Sequence, residues 1–430
     1  MEPNTMHSIA GLIFEAMDFS SCKDKSADEL ELLAQQAVSQ LAAVLLQDFI
    51  LPSRIAEIQK SVDAGLLRCS SCDSQLQLHK QNLSLHPKTI FGSKITIQRN
   101  QYHCSSCNSY PIRADEALDL PARQMTPRLA LVTALCGASW PYQVASAFLS
   151  FLLGVSLSAK TVELVTKDEQ MQAAELDSDP LDRPPGVVCA DGVLLRGRKA
   201  DEWLEMKVCS MFSNVAEVSK DRKEVMDASF VASACRQWKE FVEPVTAEAQ
   251  RRGLVGTEAV EFVSDGAEGI WSLQQMVFPY ARPRLDLYHA KCKISERTNQ
   301  AYFDNPSRKK HQKQLQGCLE QGQIEEAITY INKHMPRCEY KREAATKLIG
   351  YLKRNQSRIP NYKQVKAEGG TRSSGLTEKA NDLVVARRMK EGIMHWTREG
   401  AEPVLKHRTA FINRHARMRT GSYELAFCQG

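Results

Sequence analysis

No run in this 430-residue sequence approaches the roughly 20 consecutive apolar residues that a membrane-spanning helix needs. The first residues also lack the basic, apolar and small-residue layout of a secretory signal. A membrane role is therefore not expected, and an intracellular protein is. Internal repeats and low-complexity tracts are missing too. So is a disulfide framework: the 13 cysteines are odd in number and, outside two Cys-x-x-Cys pairs, scattered singly. That spacing reads as reduced thiols plus one metal site.

What is present begins with 43% hydrophobic residues over 430 positions, enough to bury a large core and to build two or three domains. Charge is uneven. Residues 280–430 carry 30 Lys/Arg against 15 Asp/Glu, and residues 1–279 carry 26 against 36. A basic half of that size suits a polyanionic partner, nucleic acid above all, although a solvated basic helix surface gives the same count.

The pattern along the chain divides it. Residues 1–65 form a helical region in which Leu30, Leu33, Val38, Leu41, Leu45 and Phe49 lie near one stripe, expected to pack on the body or on another protomer. Residues 66–120 are a compact cysteine-bearing unit. Within 121–175, apolar helices at 125–138 and 142–153 and a third opening near Ser158 or Thr161 resemble a helix-turn-helix segment that binds DNA. An acidic, proline-rich linker at 176–186 follows. Strand-like runs at 187–190 and 203–212 flank a Gly-Arg-Lys-Ala-Asp-Glu turn. A helix is expected over 227–252, a strand over 259–264, a helix over 267–277 and a short strand over 284–287. Alternating strands and helices put 187–290 in the α/β class. Residues 291–370 read as helical, 371–410 return to the core, and 411–430 form a tail.

Cys69-Ser-Ser-Cys72 and Cys104-Ser-Ser-Cys107 stand 31 residues apart. Two such knuckles present four thiolates to one tetrahedral ion, so the unit reads as a zinc ribbon holding structural Zn²⁺. Ile95 and Ile97 alternate with Thr96 and Gln98 as in a hairpin strand. His79, His86 and His103 lie close enough in sequence that one could replace a cysteine.

Three acids carry the catalytic expectation. Asp191 in VVCADGVLL and Asp265 in VEFVSDGAEGIW each follow an apolar run and precede a glycine, so each should project from the end or edge of a buried strand. Glu378 opens a basic helix. Carboxylates so placed suit two Mg²⁺ (or Mn²⁺) ions about 3.5–4 Å apart on a phosphodiester, with Asp191 bridging them. Asp-Gly is equally a turn dipeptide. Asp286 and His289, three residues apart, would lie near the metals, or mark a surface strand end with Asp286 capping the helix that follows. Trp271 reads as core. Arg387, Arg388, Lys390 and Arg398 would neutralise phosphates.

Asp191-Gly192, the stretch VSDGAEGIWSL at 263–273, Asp286-Leu-Tyr-His289 and the block 375–408 (GLTE, ARRMKEGIMHW, TREGAEPVLKHR) resemble the Mutator-like DDE transposases, specifically the bacterial insertion-sequence family called ISKra. The cysteine ribbon matches as well. The resemblance implies an RNase H-like catalytic core with a helical insertion before the last acid, preceded by the zinc ribbon and the helical segment. Asp191, Asp265 and Glu378 map onto the catalytic triad, with Asp382 as a fallback third ligand, and Asp286 and His289 onto a D-x-x-H element. It further implies binding of double-stranded DNA at the element's ends and target, cleavage and strand transfer, a homo-oligomer in the active complex, and a nucleoid-associated cytoplasmic location. A non-catalytic zinc-ribbon regulator (a domesticated or inactive copy) and a nuclease or resolvase of the same fold remain as alternatives.

Overall fold

A computed structural model of the chain describes residues 11, 24–120, 124–168, 186–212, 214–219, 222–226, 228–302, 306–368, 370–372, 378, 380–390 and 394–418, with side chains at 214–226 and 414–418 outside the description. The protein is mixed α/β and divides into two compact units, Met1–Glu169 and Gln170–Gly430.

In the first unit, α1 (Ala27–Val44) opens with a capping box: Ser26 Oγ accepts from the Glu29 N–H, and the Glu29 carboxylate accepts from the Ser26 N–H at 2.8 Å. A π-helical turn at Leu45–Ile50 leads into α2 (Leu51–Asp63). None of the six residues of the expected apolar stripe is buried, and Leu30 and Val38 are exposed. No residue of α1 is buried, whereas Ile55, Ile58 and Val62 of α2 are. Strands β1 (Gln77–Leu85) and β2 (Ile97–His103) form an antiparallel hairpin whose Ile95 and Ile97 pack on Ile55 and on Ala114 of α3 (Arg113–Ala117). Arg99 is buried there but satisfied, donating to Asp115 at 2.5 Å and to the Leu83 carbonyl at 3.0 Å. Burying such a charge without partners would be prohibitive.

Three helices follow: α4 (Pro127–Ser139), α5 (Tyr142–Leu153) and α6 (Ala159–Asp168). Pro127 suits a first helical position, where an N–H lacks a partner anyway, and Gly154 ends α5 in the left-handed conformation at φ +63°. Gly137 lets α4 and α6 touch: a Cβ there would meet Thr166 Oγ1 at 2.1 Å. Helix positions thus match the sequence expectation, including a third helix whose first turn is tied by Ser158 Oγ to the Thr161 N–H.

The second unit is built on a five-stranded sheet of β3 (Val187–Arg196), β4 (Trp203–Phe212), β7 (Ser229–Ser233), β8 (Glu261–Ser264) and β9 (Arg282–Leu285), in the order β7-β4-β3-β8-β9. β3, β4 and β7 are antiparallel neighbours, and β8 and β9 add in parallel on the other side of β3. A small hairpin, β5 (Asn214–Ser219) and β6 (Arg222–Met226), lies between β4 and β7 in the chain. One face of the sheet, through Val188 and Ala190, meets Phe241, Val245 of α7 (Val242–Arg251) and Trp271 and Leu273 of α8 (Glu268–Val277). The other, through Val187, Cys189 and Val263, packs on Phe212 and Ala228.

Two expectations are corrected here. The helix read over 227–252 is replaced in its first part by β7, which bonds along five residues to β4, and the helix proper begins at Val242. The strand carrying Asp191 does not stop at Asp191-Gly192; it pairs without interruption through Arg196 opposite Trp203.

After β9 the chain runs through α9 (Leu287–Tyr302), α10 (Arg308–Gln321), α11 (Ile324–Lys333), α12 (Glu339–Asn355) and α13 (Tyr362–Ala367). This helical insertion shares its core with the first face of the sheet, through Leu315, Leu348 and Leu352. The last element among the described residues is α14 (Arg398–Met418), so the expected boundary at 410–411 falls inside a continuous helix. Asn413 of α14 bonds both the N–H and the carbonyl of Phe230, and Glu402 accepts from the Ala234 N–H, fastening the edge strand β7.

Candidate metal centres

In the first unit the four sulfurs of Cys69, Cys72, Cys104 and Cys107 all lie within 4.8 Å of one another. Cys69 Sγ is 3.6 Å from Cys107 Sγ, and Cys72 Sγ is 3.4 Å from Cys104 Sγ. The first pair turns just ahead of β1 and the second leaves the end of β2, so the hairpin brings the two knuckles together. The Ser71 N–H, with help from Ser109, holds the Cys69 thiol down at about 6, toward the thiolate that binds metal. None of the nearby histidines joins this group: His79 and His103 pack against Tyr110, and His86 Nδ1 faces Thr96 Oγ1 at 3.2 Å. A closed set of four sulfurs could hold one structural metal ion.

The second centre is assembled by the sheet of the other unit. Alternation puts Val187, Cys189 and Asp191 on one face of β3, and Val263 and Asp265 on the same face of β8. The parallel register pairs Cys189 with Val263. Asp191 and Asp265 each follow that last pair by two residues, Asp265 standing just past the end of β8. Asp265 Oδ1 accepts the Ala267 N–H at 3.0 Å, while Gly266 takes φ +102°, which a side chain would strain. A Cβ at Gly192, next to Asp191, would meet Glu205 Oε1 at 2.4 Å. The two Asp-Gly pairs therefore have different local reasons, a close approach to the neighbouring strand in the first and a sharp exit in the second.

Asp286 follows β9 and is buried; its Oδ1 accepts the His289 N–H at 2.8 Å in the first turn of α9. The same oxygen lies 3.4 Å from His289 Nδ1, and His289 Nε2 is 4.0 Å from Glu378 Oε1. Asp286, then the nearby Asp191 and Asp265, hold the imidazole protonated up to about 9 against the opposing effect of burial. Burial pushes the Asp191 carboxyl above its ordinary value and Asp265 adds to that, while the Gly192 N–H, His289 and Asn381 oppose it. All five residues read from the sequence as catalytic (Asp191, Asp265, Asp286, His289 and Glu378) thus converge on one place. Their donor atoms are more open than the sulfurs: among the described residues, the cysteines are the only group of three or more such donors within 4.8 Å. Asp382, the fallback ligand, pairs instead with Arg387 at 2.8 Å.

Two of the four expected phosphate-binding residues are corrected. Arg388 is only 2% exposed, its guanidinium lying over Trp396 and donating to Met394 Sδ. Arg398 is half-buried and donates through Nη1 to the carbonyls of Ala234 (2.6 Å) and Cys235 (2.9 Å), so that nitrogen serves the fold. Arg387 and Lys390 are exposed. Trp271 is core as expected, with Arg358 over its ring at 4.4 Å.

Sequence reasoning missed Asn381, whose Nδ2 donates to Asp191 Oδ2 at 2.6 Å. Its position three residues after Glu378, one face of one helical turn, was the available signal. It also missed the tyrosines of the insertion: Tyr362 Oη donates to the Leu285 carbonyl at 2.5 Å and Tyr351 Oη reaches the Asp265 carbonyl at 3.4 Å, so α12 and α13 hold the strand ends that bear the acids.

Among the described residues no helix is long and apolar enough to cross a membrane. No protein-family model matches the chain, and no curated protein matches it.

Proposed function

We propose that the protein is a DDE-type transposase, an Mg²⁺-dependent enzyme that binds the ends of a mobile element and cuts and joins DNA strands. The observation that carries this reading is the convergence of Asp191 on β3 and Asp265 just past the adjacent parallel β8 with Glu378 and His289. An antiparallel trio followed by two parallel strands, with the acids on the first and fourth, suits an RNase H-like core.

The donor set fits a hard divalent cation. It is made of carboxylate oxygens, and the half-buried Asp191 carries a charge that Asp265 opposes and a cation would relieve. Asp191, Asp265 and Glu378 would hold the metals, which would activate the attacking oxygen and stabilise the leaving one. The chain's own part is positioning. β3 and β8 set the first two carboxylates, α9 presents the protonated His289 toward the phosphate, and Asp286 orients that imidazole. Arg387 and Lys390 lie exposed for phosphate contact. The four cysteines would hold Zn²⁺ as a structural ribbon, beside three helices suited to reading DNA, and the active complex would be a homo-oligomer.

A regulator that binds DNA without cutting it is the second reading, favoured by the wider spacing of the acidic donors beside the closed cysteine set. A cleavage and joining assay in Mg²⁺, on DNA flanking the gene, compares wild type with Asp265→Asn. Cleavage by wild type alone is expected; binding without cleavage by either protein would favour the regulator.

A further inference from the structure

Asn381 touches a metal-site carboxylate across 190 positions of sequence. It sits at the start of the π-helical turn Asp382–Ala386, one turn after Glu378. Glu378 reaches toward His289, and Asn381 reaches Asp191. The two oxygens of Asp191 are divided between donors: Oδ1 accepts the Gly192 N–H at 2.7 Å and Oδ2 accepts the Asn381 amide at 2.6 Å. One donor comes from the strand itself and the other from the segment that brings the third acid. Carboxylate χ2 is otherwise a soft, broad torsion, so these two bonds fix the plane of the group. The Asn381 Oδ1 is buried and has no hydrogen-bond partner, so the bond to Asp191 is the one the described structure gives this amide.

We propose that Asn381 is a positioning residue of the divalent-metal site: it orients Asp191 through Nδ2 and couples that carboxylate to the arrival of Glu378. This rests on the two-metal reading of the acidic cluster. An amide suits the task better than a cation would, because it donates to the carboxylate without cancelling the charge that attracts the metal. Placing it three residues after Glu378 puts the last ligand and the brace on the first in one short segment. Outer partners that hold a ligating carboxylate in this way are worth about 10–100-fold in metal affinity.

The test is Mn²⁺ binding to the full chain, kept zinc-replete, read by electron paramagnetic resonance of the free ion, with thermal melting in the absence of Mn²⁺ as a second readout. Asn381→Leu keeps the size and removes the donor. It is expected to bind Mn²⁺ about 10–100-fold more weakly than wild type while melting at the same temperature. Asn381→Ala also removes the donor, guards against a leucine variant that fails to fold, and is expected to bind Mn²⁺ as weakly. Wild-type affinity in Asn381→Leu, or in Asn381→Ala should the leucine variant not fold, would overturn the positioning role and leave the metal site standing. Absence of Mn²⁺ uptake by wild type, matched by Asp191→Asn, would remove the two-metal reading itself and this role with it.

Discussion

His289 Nε2 stands 4.0 Å from Glu378 Oε1 while its Nδ1 faces Asp286 at 3.4 Å, so one imidazole lies between a buried acid and an exposed one. Its protonated form is held up to about 9, above the ordinary 6.5. A histidine raised in the fold adds stability that is complete below about 6.5 and lost as pH rises through about 9. Proton NMR of the His289 ring in metal-free protein should place its titration near 9, and in Asp286→Asn well below that. A midpoint near 6.5 in wild type would show that Asp286 does not hold the charge.

Asp191→Asn should abolish Mg²⁺-dependent cleavage and leave binding to DNA ends nearly intact. The change keeps the shape of the side chain in the middle of β3 and removes only the charge, so the sheet should be undisturbed. Single-turnover cleavage and a binding titration at fixed salt separate the two effects, and full activity in the variant would sink the assignment.

One zinc per chain is expected by atomic emission, and none in Cys69→Ser/Cys104→Ser. Structural zinc contributes on the order of 10–16 kcal/mol in small domains at neutral pH. Chelation should therefore loosen the hairpin, seen as faster amide exchange along Gln77–Leu85 and Ile97–His103. Unchanged exchange after complete zinc removal would mean that the hairpin stands on its own core.

The basic residues should separate into two behaviours. Lys390→Ala, at an exposed position, should weaken DNA binding and lower the salt slope by about 0.9, the effect of neutralising one phosphate fewer. Arg398→Ala should instead destabilise the fold by about 1–3 kcal/mol, because it strips partners from the Ala234 and Cys235 carbonyls. Denaturant melts and salt-dependent binding of both variants check this, and a salt slope altered by Arg398→Ala with no loss of stability would contradict it.

Gly137→Ala should cost about 1–3 kcal/mol although alanine is the better helix former, since its Cβ would press on Thr166 Oγ1. The melting temperature in Gly137→Ala/Thr166→Ala should recover part of the loss.

Much of this was legible from the sequence where local chemistry decides. The Gly197–Glu202 turn, the three helices of 127–168 and the cysteine knuckles were readable because caps, turn residues and ligand spacing are written within a few positions. β7 was not. Its Ser-Phe-Val-Ala-Ser run is five residues long and becomes a strand only because β4 offers it a ladder. Asp191-Gly192 looked like a strand end because the dipeptide favours turns, yet pairing with β4 carries the strand straight through. Arginines were legible as charge alone: whether Arg388 and Arg398 meet phosphates or the protein's own groups depends on parts of the chain far away in sequence. Asn381 was hidden for the same reason.

The parallel pairing of β3 with β8, at the interstrand distance of about 4.8 Å, brings the backbones that carry Asp191 and Asp265 near one another, and the bonds from Gly192, Asn381 and Ala267 then set the carboxylates. The helices of 291–370 enter only after β9, beyond both of these acids. Yet α12 and α13 reach back to the strand ends, Tyr351 to the Asp265 carbonyl and Tyr362 to the Leu285 carbonyl, and their apolar side chains share the core behind β3. The segment between β9 and Glu378 is therefore a buttress of the first two acids as well as the route to the third, and an exchanged insertion would have to keep those two bonds.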